Sequence, residues 1–505
     1  MKKSQKLFNI LMAATMLMST GCGVAGGGNV ADSTTDIQIA VWKNGSMNET
    51  TMGKLVANFE AKYPQYNIIL DYSGVDNLFG SNIELGPKYN SYDLFFGSMP
   101  DQSVYKYLEP LNSILTDNNN EAKDKFDEYI LSNILAKDNN YYYLPYVNNW
   151  LGLVYNANII DGTTYTAPRT TDELTVLVAM LQNQNITPFI HFKTEGYWEY
   201  ISLLWEIQYD GLDYYTNTLL QVGDPTGKNP NKEVLLAKDG RYQVMKVLDN
   251  IINSNTVYSG SNTQDFTDAQ TKFFAGRAAM MANGTWLVNE MGKTAKDSNM
   301  KMMKIPVISS ITDRTEAIED DEELAALIDA IDAVGLDKAS VALTGDGYSV
   351  TQGDIDIVFE ARNYISSIAN DNVVCIPNYA TGKEGAKEFV KYLFSEKQIE
   401  TYAQATHLPL PYKAEITKDL DTSDWNAWEK DLLVMQSNSI PVIFRAFDRH
   451  PLFTSGGVGN PYVNVSVVSS MAVPSGRLSA EDLWATLQNN VNNGWKTWML
   501  NLGIN

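Results

Sequence analysis

The chain has 505 residues, 44% apolar and 11% aromatic, with 60 acidic against 38 basic side chains. A formal charge of −22 excludes nucleic acid as the expected partner, because phosphate binding needs clustered Lys and Arg. It also disfavours anionic ligands and leaves neutral polar ones, while the length suits two large lobes better than one core.

The first element is a leader. Lys2, Lys3 and Lys6 precede an apolar run from Leu7 to Met18, and Ser19-Thr20-Gly21 leads into Cys22. The run is shorter than the roughly 20 residues of a membrane-spanning helix, so residues 1–21 read as a signal peptide. A Cys just after small residues resembles the bacterial lipobox, with Ser19 standing where that pattern usually has Leu. The resemblance implies acylation of Cys22 and a lipid anchor on the outer face of a bacterial membrane, on the periplasmic side in a Gram-negative cell. The alternative is ordinary secretion with an incidental Cys. Removing residues 1–21 shifts the formal charge to −25. Residues 22–36, rich in Gly, Ser and Thr, suit a flexible tether.

Strands and helices then alternate. Ile37–Trp42 reads as a buried strand, Met52–Tyr63 as a helix, and Asn67–Tyr72 and Tyr92–Phe96 as two more strands. Gly152–Tyr155 reads as a strand and Thr171–Asn183 as a helix opening at Thr171, with Asp172 and Glu173 in its first turn. This order predicts α/β layers around mostly parallel sheets. Glu316–Val334 is acidic, with Leu324, Leu327, Ile328 and Ile331 at helical spacing. Such a segment is either a partner- or cation-binding helix or a surface helix with one apolar stripe, and the stripe favours the second. Cys375, in the apolar run Val373–Ile376, is expected to be a buried, inert thiol.

Catalytic and metal signatures are sparse. The three histidines, His191, His407 and His450, lie far apart, and none has a second His at i+3 or i+4. No G-x-S-x-G elbow or phosphate loop occurs. The run Asp117–Glu128 faintly follows a calcium loop, but Ala122 stands where the turn needs Gly. No metal and no cofactor are expected.

Aromatic residues instead recur in amide-rich loops at predicted strand ends. Trp42 precedes Asn44, Gly45, Ser46, Met47 and Asn48; Asn148-Asn149 precede Trp150; Glu195-Gly196-Tyr197-Trp198 follows a predicted strand; Asn283-Gly284-Thr285-Trp286 follows another. Sugars offer apolar C–H faces to such rings and hydroxyls to amides and carboxylates. A lone Trp more often packs a core. Four such loops at strand ends, where α/β ligand sites gather, point to a carbohydrate cleft.

Several stretches together resemble the family 1 extracellular solute-binding proteins, the sugar-binding lipoproteins of ABC importers that include maltose-binding protein. They are Tyr143–Asn156, Thr171–Phe189, Phe273–Met280 with Asn283–Trp286, and Ile376–Ala380 with Gly385–Leu393. The resemblance implies a two-lobed α/β fold of the periplasmic-binding type II class, with a ligand cleft between lobes that close by hinge bending. It implies a first lobe of 37–147 plus about 306–413 and a second of 148–305 plus about 414–505. Asn44, Met47, Asn48, Ser98 and Asp101 would line the first-lobe side, and Glu195, Tyr197, Trp198 and Trp286 the opposing wall. Asn149 and Trp150 would lie near the hinge, with Tyr462 a C-terminal contribution. The partners implied are a carbohydrate and the permease subunits of an ABC importer. A surface-anchored glycoside hydrolase, and a binding protein for a polyamine or peptide, remain the competing readings.

Overall fold

The computed structural model describes residues 34–73, 83–100, 102–116, 125–161, 166–193, 196–296, 298–335, 349–413, 420–436, 439–443, 452 and 467–504. The leader, Cys22 and its tether, Asp101, Glu195 and Tyr462 lie outside the described residues.

Two sheets organise the chain. The first is built from β1 (Thr35–Val41), β2 (Tyr66–Asp71), β3 (Leu94–Gly97), β4 (Leu144–Pro145) and β10 (Val373–Cys375), in the order β2-β1-β3-β10-β4. In it β1 runs parallel to both neighbours, with Ile39 opposite Leu70 on one side and Leu94 on the other. The alternation of a half-exposed strand is absent from the end of β1 because the strand is sandwiched: Ile37, Ile39, Ala40 and Val41 are all fully buried. Buried on both faces, parallel strands read as continuous apolar runs, which is why β1 and β3 are legible in the sequence.

The second sheet contains β5 (Trp150–Asn156), β6 (Phe189–Ile190), β7 (Met280–Gly284), β9 (Tyr364–Ser367) and β11 (Ile440–Ile443), in the order β11-β9-β5-β7-β6. The strand β8 (Met300–Met303) also pairs with β5, alongside Leu153–Asn156, while β9 pairs with Trp150 and Leu151. Helix Trp198–Asp210 and helix Gly240–Ile251 cover this sheet and bury Trp205, Leu204 and Leu248 in its core.

The chain crosses between the sheets at Asn148-Asn149, returns over Ile368–Asp371, and crosses again between Leu420, which packs on the first core, and Trp428, which packs beside β5 and β7. This corrects the expected segmentation. The described residues of 306–368, namely 306–335 and 349–368, lie with the second lobe: Val307, Ile308, Ile311 and Ile318 join its core, and β9 is hydrogen-bonded into its sheet. The acidic helix Asp321–Val334 places Leu324, Leu327, Ile328 and Ile331 in the same core, as its stripe predicts. Helix Thr171–Asn183 has the expected bounds, but its cap is Thr170, whose hydroxyl accepts from the Glu173 N–H at 3.2 Å. Cys375 is fully buried in β10, and burial pushes its thiol pKa up. No described helix is long and apolar enough to cross a membrane.

Candidate functional site at the lobe junction

The loop after β1 is wound around one amide. The Asn44 Oδ1 accepts from the Ser46 and Met47 N–H groups at 2.8 and 3.0 Å, a local turn typical of Asn. Its Nδ2 donates to Asn372 Oδ1 at 3.0 Å, fixing the loop against the returning crossover. The loop tip then touches the other lobe. The Asn289 Nδ2 donates to the Gly45 carbonyl at 2.9 Å and to the Thr406 carbonyl at 3.3 Å. A Cβ added at Gly45 would lie 3.0 Å from Trp286 Cβ and 3.2 Å from Glu290 Cγ, so glycine permits this approach. The lobes touch each other here.

The facing wall comes from β7 and the start of helix Trp198–Asp210. The indole of Trp286 lies over Gly284, where an added Cβ would sit 2.1 Å from the ring. Gly196 and Tyr197 both have positive φ, +52° and +71°, and this left-handed pair turns the chain into the helix. The Tyr197 ring meets Trp286 edge to face at 5.6 Å and 81°. Phe192 and Phe266 support Tyr197 from behind, while Leu151, Tyr200 and Ile368 complete the apolar patch around Trp286. Burial, then the nearby Glu290, raises the Tyr197 pKa, so its phenol is a neutral hydrogen-bonding group at ordinary pH. Burial likewise raises Glu290, against a 2.9 Å hydrogen bond donated by Gln270.

Asn149 locks the crossover. Its Nδ2 donates to Ser46 Oγ at 2.6 Å on the first lobe, and its Oδ1 accepts from Thr285 Oγ1 at 2.9 Å on the second. With 1% exposure it is a clamp between lobes, its amide already occupied.

The sequence candidates therefore separate. Asn44, Tyr197 and Trp286 converge on the junction, with Asn149 beneath them. Ser98 follows β3, half-buried, and the neighbouring Met99 N–H donates to the Asn370 carbonyl at 2.8 Å, which ties this turn to the crossover. Three candidates are corrected. Met47 is fully buried in the first-lobe core. Trp150 is fully buried among Val154, Ile190 and Met281. Trp198 is 1% exposed and packs edge-on against Phe189 at 5.2 Å. Met47 turns inward from the loop after β1, while Trp150 in β5 and Trp198 at its helix start sit in apolar cores and not in the cleft. Asn48 is exposed, but its side chain is engaged as the cap of helix Glu49–Lys62. Gly45, Asn289, Glu290 and Gln270 are not among the sequence candidates, although Asn289 and Glu290 lie one turn beyond the recognised Trp286. Among the described residues, no group of three or more His, Cys, Asp or Glu is placed to hold a metal.

Comparison with curated proteins gives no match. Among solved structures, the chain is similar to AcbH, a bacterial solute receptor with an exclusive substrate preference for b-D-galactopyranose, at 13% identity and a TM-score of 0.61, covering 92% of this chain and 98% of that one. A chitin oligosaccharide binding protein matches at 18% identity and 0.57, covering 91% and 99%. The GacH receptor of Streptomyces glaucescens, solved unliganded and with acarbose, matches at 16% and 0.57, covering 92% and 98%. Such identities establish the two-lobed fold alone. The family model for bacterial extracellular solute-binding proteins matches residues 54–431, spanning both lobes and every crossover described above. The chain belongs to the bacterial extracellular solute-binding proteins.

Proposed function

We propose that the protein captures a neutral carbohydrate, of oligosaccharide size, between its lobes and delivers it unaltered to the transmembrane subunits of an ABC importer, held at the membrane by acyl chains on Cys22. The observation that carries the carbohydrate reading is the Trp286–Tyr197 pair at the junction. The Trp286 indole is 8% exposed where the lobes touch, so it would offer its ring to a sugar face only as the lobes part, with the neutral Tyr197 phenol at right angles as a partner for hydroxyls. Asn44, Gln270 and Asn289 add amides around it. The names of the structural neighbours, saccharide binders among them, agree with this reading. No reaction is assigned, in keeping with a family and neighbours that are binding proteins.

Function then depends on a ligand-shifted balance between open and closed lobes. A thermal-melt screen tests the ligand class, because a ligand at a hundred times its Kd stabilises the native state by about 2.7 kcal/mol. Melting temperatures rise with oligosaccharides and stay unchanged with spermidine or short peptides. A response confined to the polyamine or the peptides reverses the assignment.

Two substitutions test the rest. Gly45→Leu places a side chain against Trp286 and Glu290, props the lobes apart and weakens sugar binding about tenfold, or about 1.4 kcal/mol. Small-angle scattering records a larger radius of gyration for this variant in the presence of ligand. Cys22→Ser moves the protein from the membrane to the soluble fraction, and unchanged fractionation would contradict the acyl anchor.

A further inference from the structure

Glu290 lies one turn after Trp286 and reaches into the contact between the lobes, its Cγ 3.2 Å from where a Cβ on Gly45 would lie. Its Oε2 accepts the 2.9 Å hydrogen bond from Gln270, which is 1% exposed, so a buried amide holds the carboxylate in place. Among the described residues, its Oε1 accepts no hydrogen bond and no Lys or Arg pairs with it. Glu290 is exposed as a residue, yet enough protein surrounds its carboxyl to raise the pKa.

The surroundings are negative from both lobes. The ionisable groups that act on the Tyr197 phenol are Glu290, Tyr200, Asp371 and Glu199, and none of them is basic. Helix Trp198–Asp210 turns its positive end to this wall, and Glu199 in its first turn offsets that end. From the first lobe, helix Glu396–Thr406 ends here, and its last carbonyl accepts from Asn289. A helix C-terminus carries about half a negative charge. A carboxylate or phosphate on a sugar would enter this field with no cation to receive it, and like charges brought together cost binding energy. A hydroxyl instead supplies the donor that Glu290 Oε1 lacks, and a hydrogen bond to a charged acceptor is roughly twice as strong as a neutral one.

We propose that Glu290 is a specificity-determining residue of the junction, accepting a hydroxyl of the stacked sugar and rejecting acidic saccharides such as uronates. The assignment rests on the carbohydrate reading of this site. Calorimetric titration tests it with maltotriose, cellotriose and galactotriose, each beside its counterpart oxidised to a carboxylate at C6. The native chain binds the neutral form at least about tenfold more tightly than the uronate. Glu290→Gln keeps an acceptor for Gln270 but removes the charge. It weakens the neutral sugar about threefold to tenfold and narrows the preference to about threefold or less. Glu290→Lys turns the preference towards the uronate, a gain that a merely misfolded chain does not show. Unchanged melting temperatures check the fold of both variants. A preference for the neutral form equal in Glu290→Gln and the native chain overturns the assignment, as does native binding of the uronate as tight as of the neutral sugar. Both of those results leave the carbohydrate reading standing. Heat from none of these sugars overturns the assignment together with the reading it rests on.

Discussion

Under the proposed carbohydrate function, Trp286→Ala is expected to lower saccharide affinity at least tenfold, a loss of about 1.4 kcal/mol or more, while far-ultraviolet circular dichroism stays native. The ring contributes to a wall between lobes and not to either main core: its cluster contains only Leu151, Tyr200 and Ile368, with Tyr197 packed against it. Its removal takes away the proposed stacking face without opening the centre of a lobe. Gly284→Ala is expected to reproduce the loss with the indole still present. The new Cβ would sit 2.1 Å from the ring, inside any tolerable contact, and must displace it. Trp150→Ala and Trp198→Ala serve as contrasts. Both rings are enclosed in the second lobe, so truncation costs about 3–5 kcal/mol of stability. Calorimetric titration checks the first pair and chemical denaturation the second. Unchanged affinity in both Trp286→Ala and Gly284→Ala removes this wall from the site.

Arg241→Leu destabilises the second lobe by about 3–5 kcal/mol, because it strips the cation from a buried group of acids. The Arg241 side chain is 4% exposed, donates twice to Asp239 at 3.1 and 3.2 Å, and donates to the Val234 carbonyl at 2.9 Å. Glu206 stands 3.6 Å from the guanidinium without a hydrogen bond to it. Burial dominates there and raises the Glu206 pKa well above the ordinary range. Burial, reinforced by Asp239, also pushes Asp210 up to about 7, while the Gly240 N–H, Arg241 and Arg314 pull it down. Tyr209 and Tyr214 face the same acids.

The sign follows from linkage. A carboxyl whose folded pKa is raised keeps a proton that the unfolded chain has lost, so stability falls as pH climbs from the ordinary carboxylate range towards that raised value. These two acids therefore make the protein more stable at pH 5 than at pH 8, an effect opposed by buried His191, whose pKa burial lowers. Arg241→Leu widens the gap, since the acids then ionise without their cation. Urea denaturation at the two pH values measures it. Equal stabilities, or a more stable protein at pH 8, contradict the protonated state assigned to Glu206 and Asp210.

The element order is legible because its strands are buried on both faces and its helices carry clear stripes. Helix Thr171–Asn183 and the stripe of Asp321–Val334 are cases in point. Lobe membership is not. Nothing in local periodicity marks Ile368–Asp371 as the return crossover, because β9 carries Ser366 and Ser367, both fully buried, where an apolar run would announce a core strand. Phase is the other obstacle. Trp150 and Leu151 are neighbours in β5, yet successive side chains of a strand face opposite ways. Trp150 enters the core, and Leu151 joins Trp286 at the junction. Tyr197 and Trp198 divide similarly across a helix start. Composition can nominate aromatic loops, but only the backbone decides which ring of an adjacent pair meets the cleft.

The most direct test titrates purified protein with a panel of mono- and oligosaccharides in a calorimeter and then recovers the sugar. The account predicts saturable heat with at least one saccharide, abolished or weakened in Trp286→Ala, and recovery of that sugar intact. Heat with none of them, or a bound sugar returned as cleaved products, would contradict it.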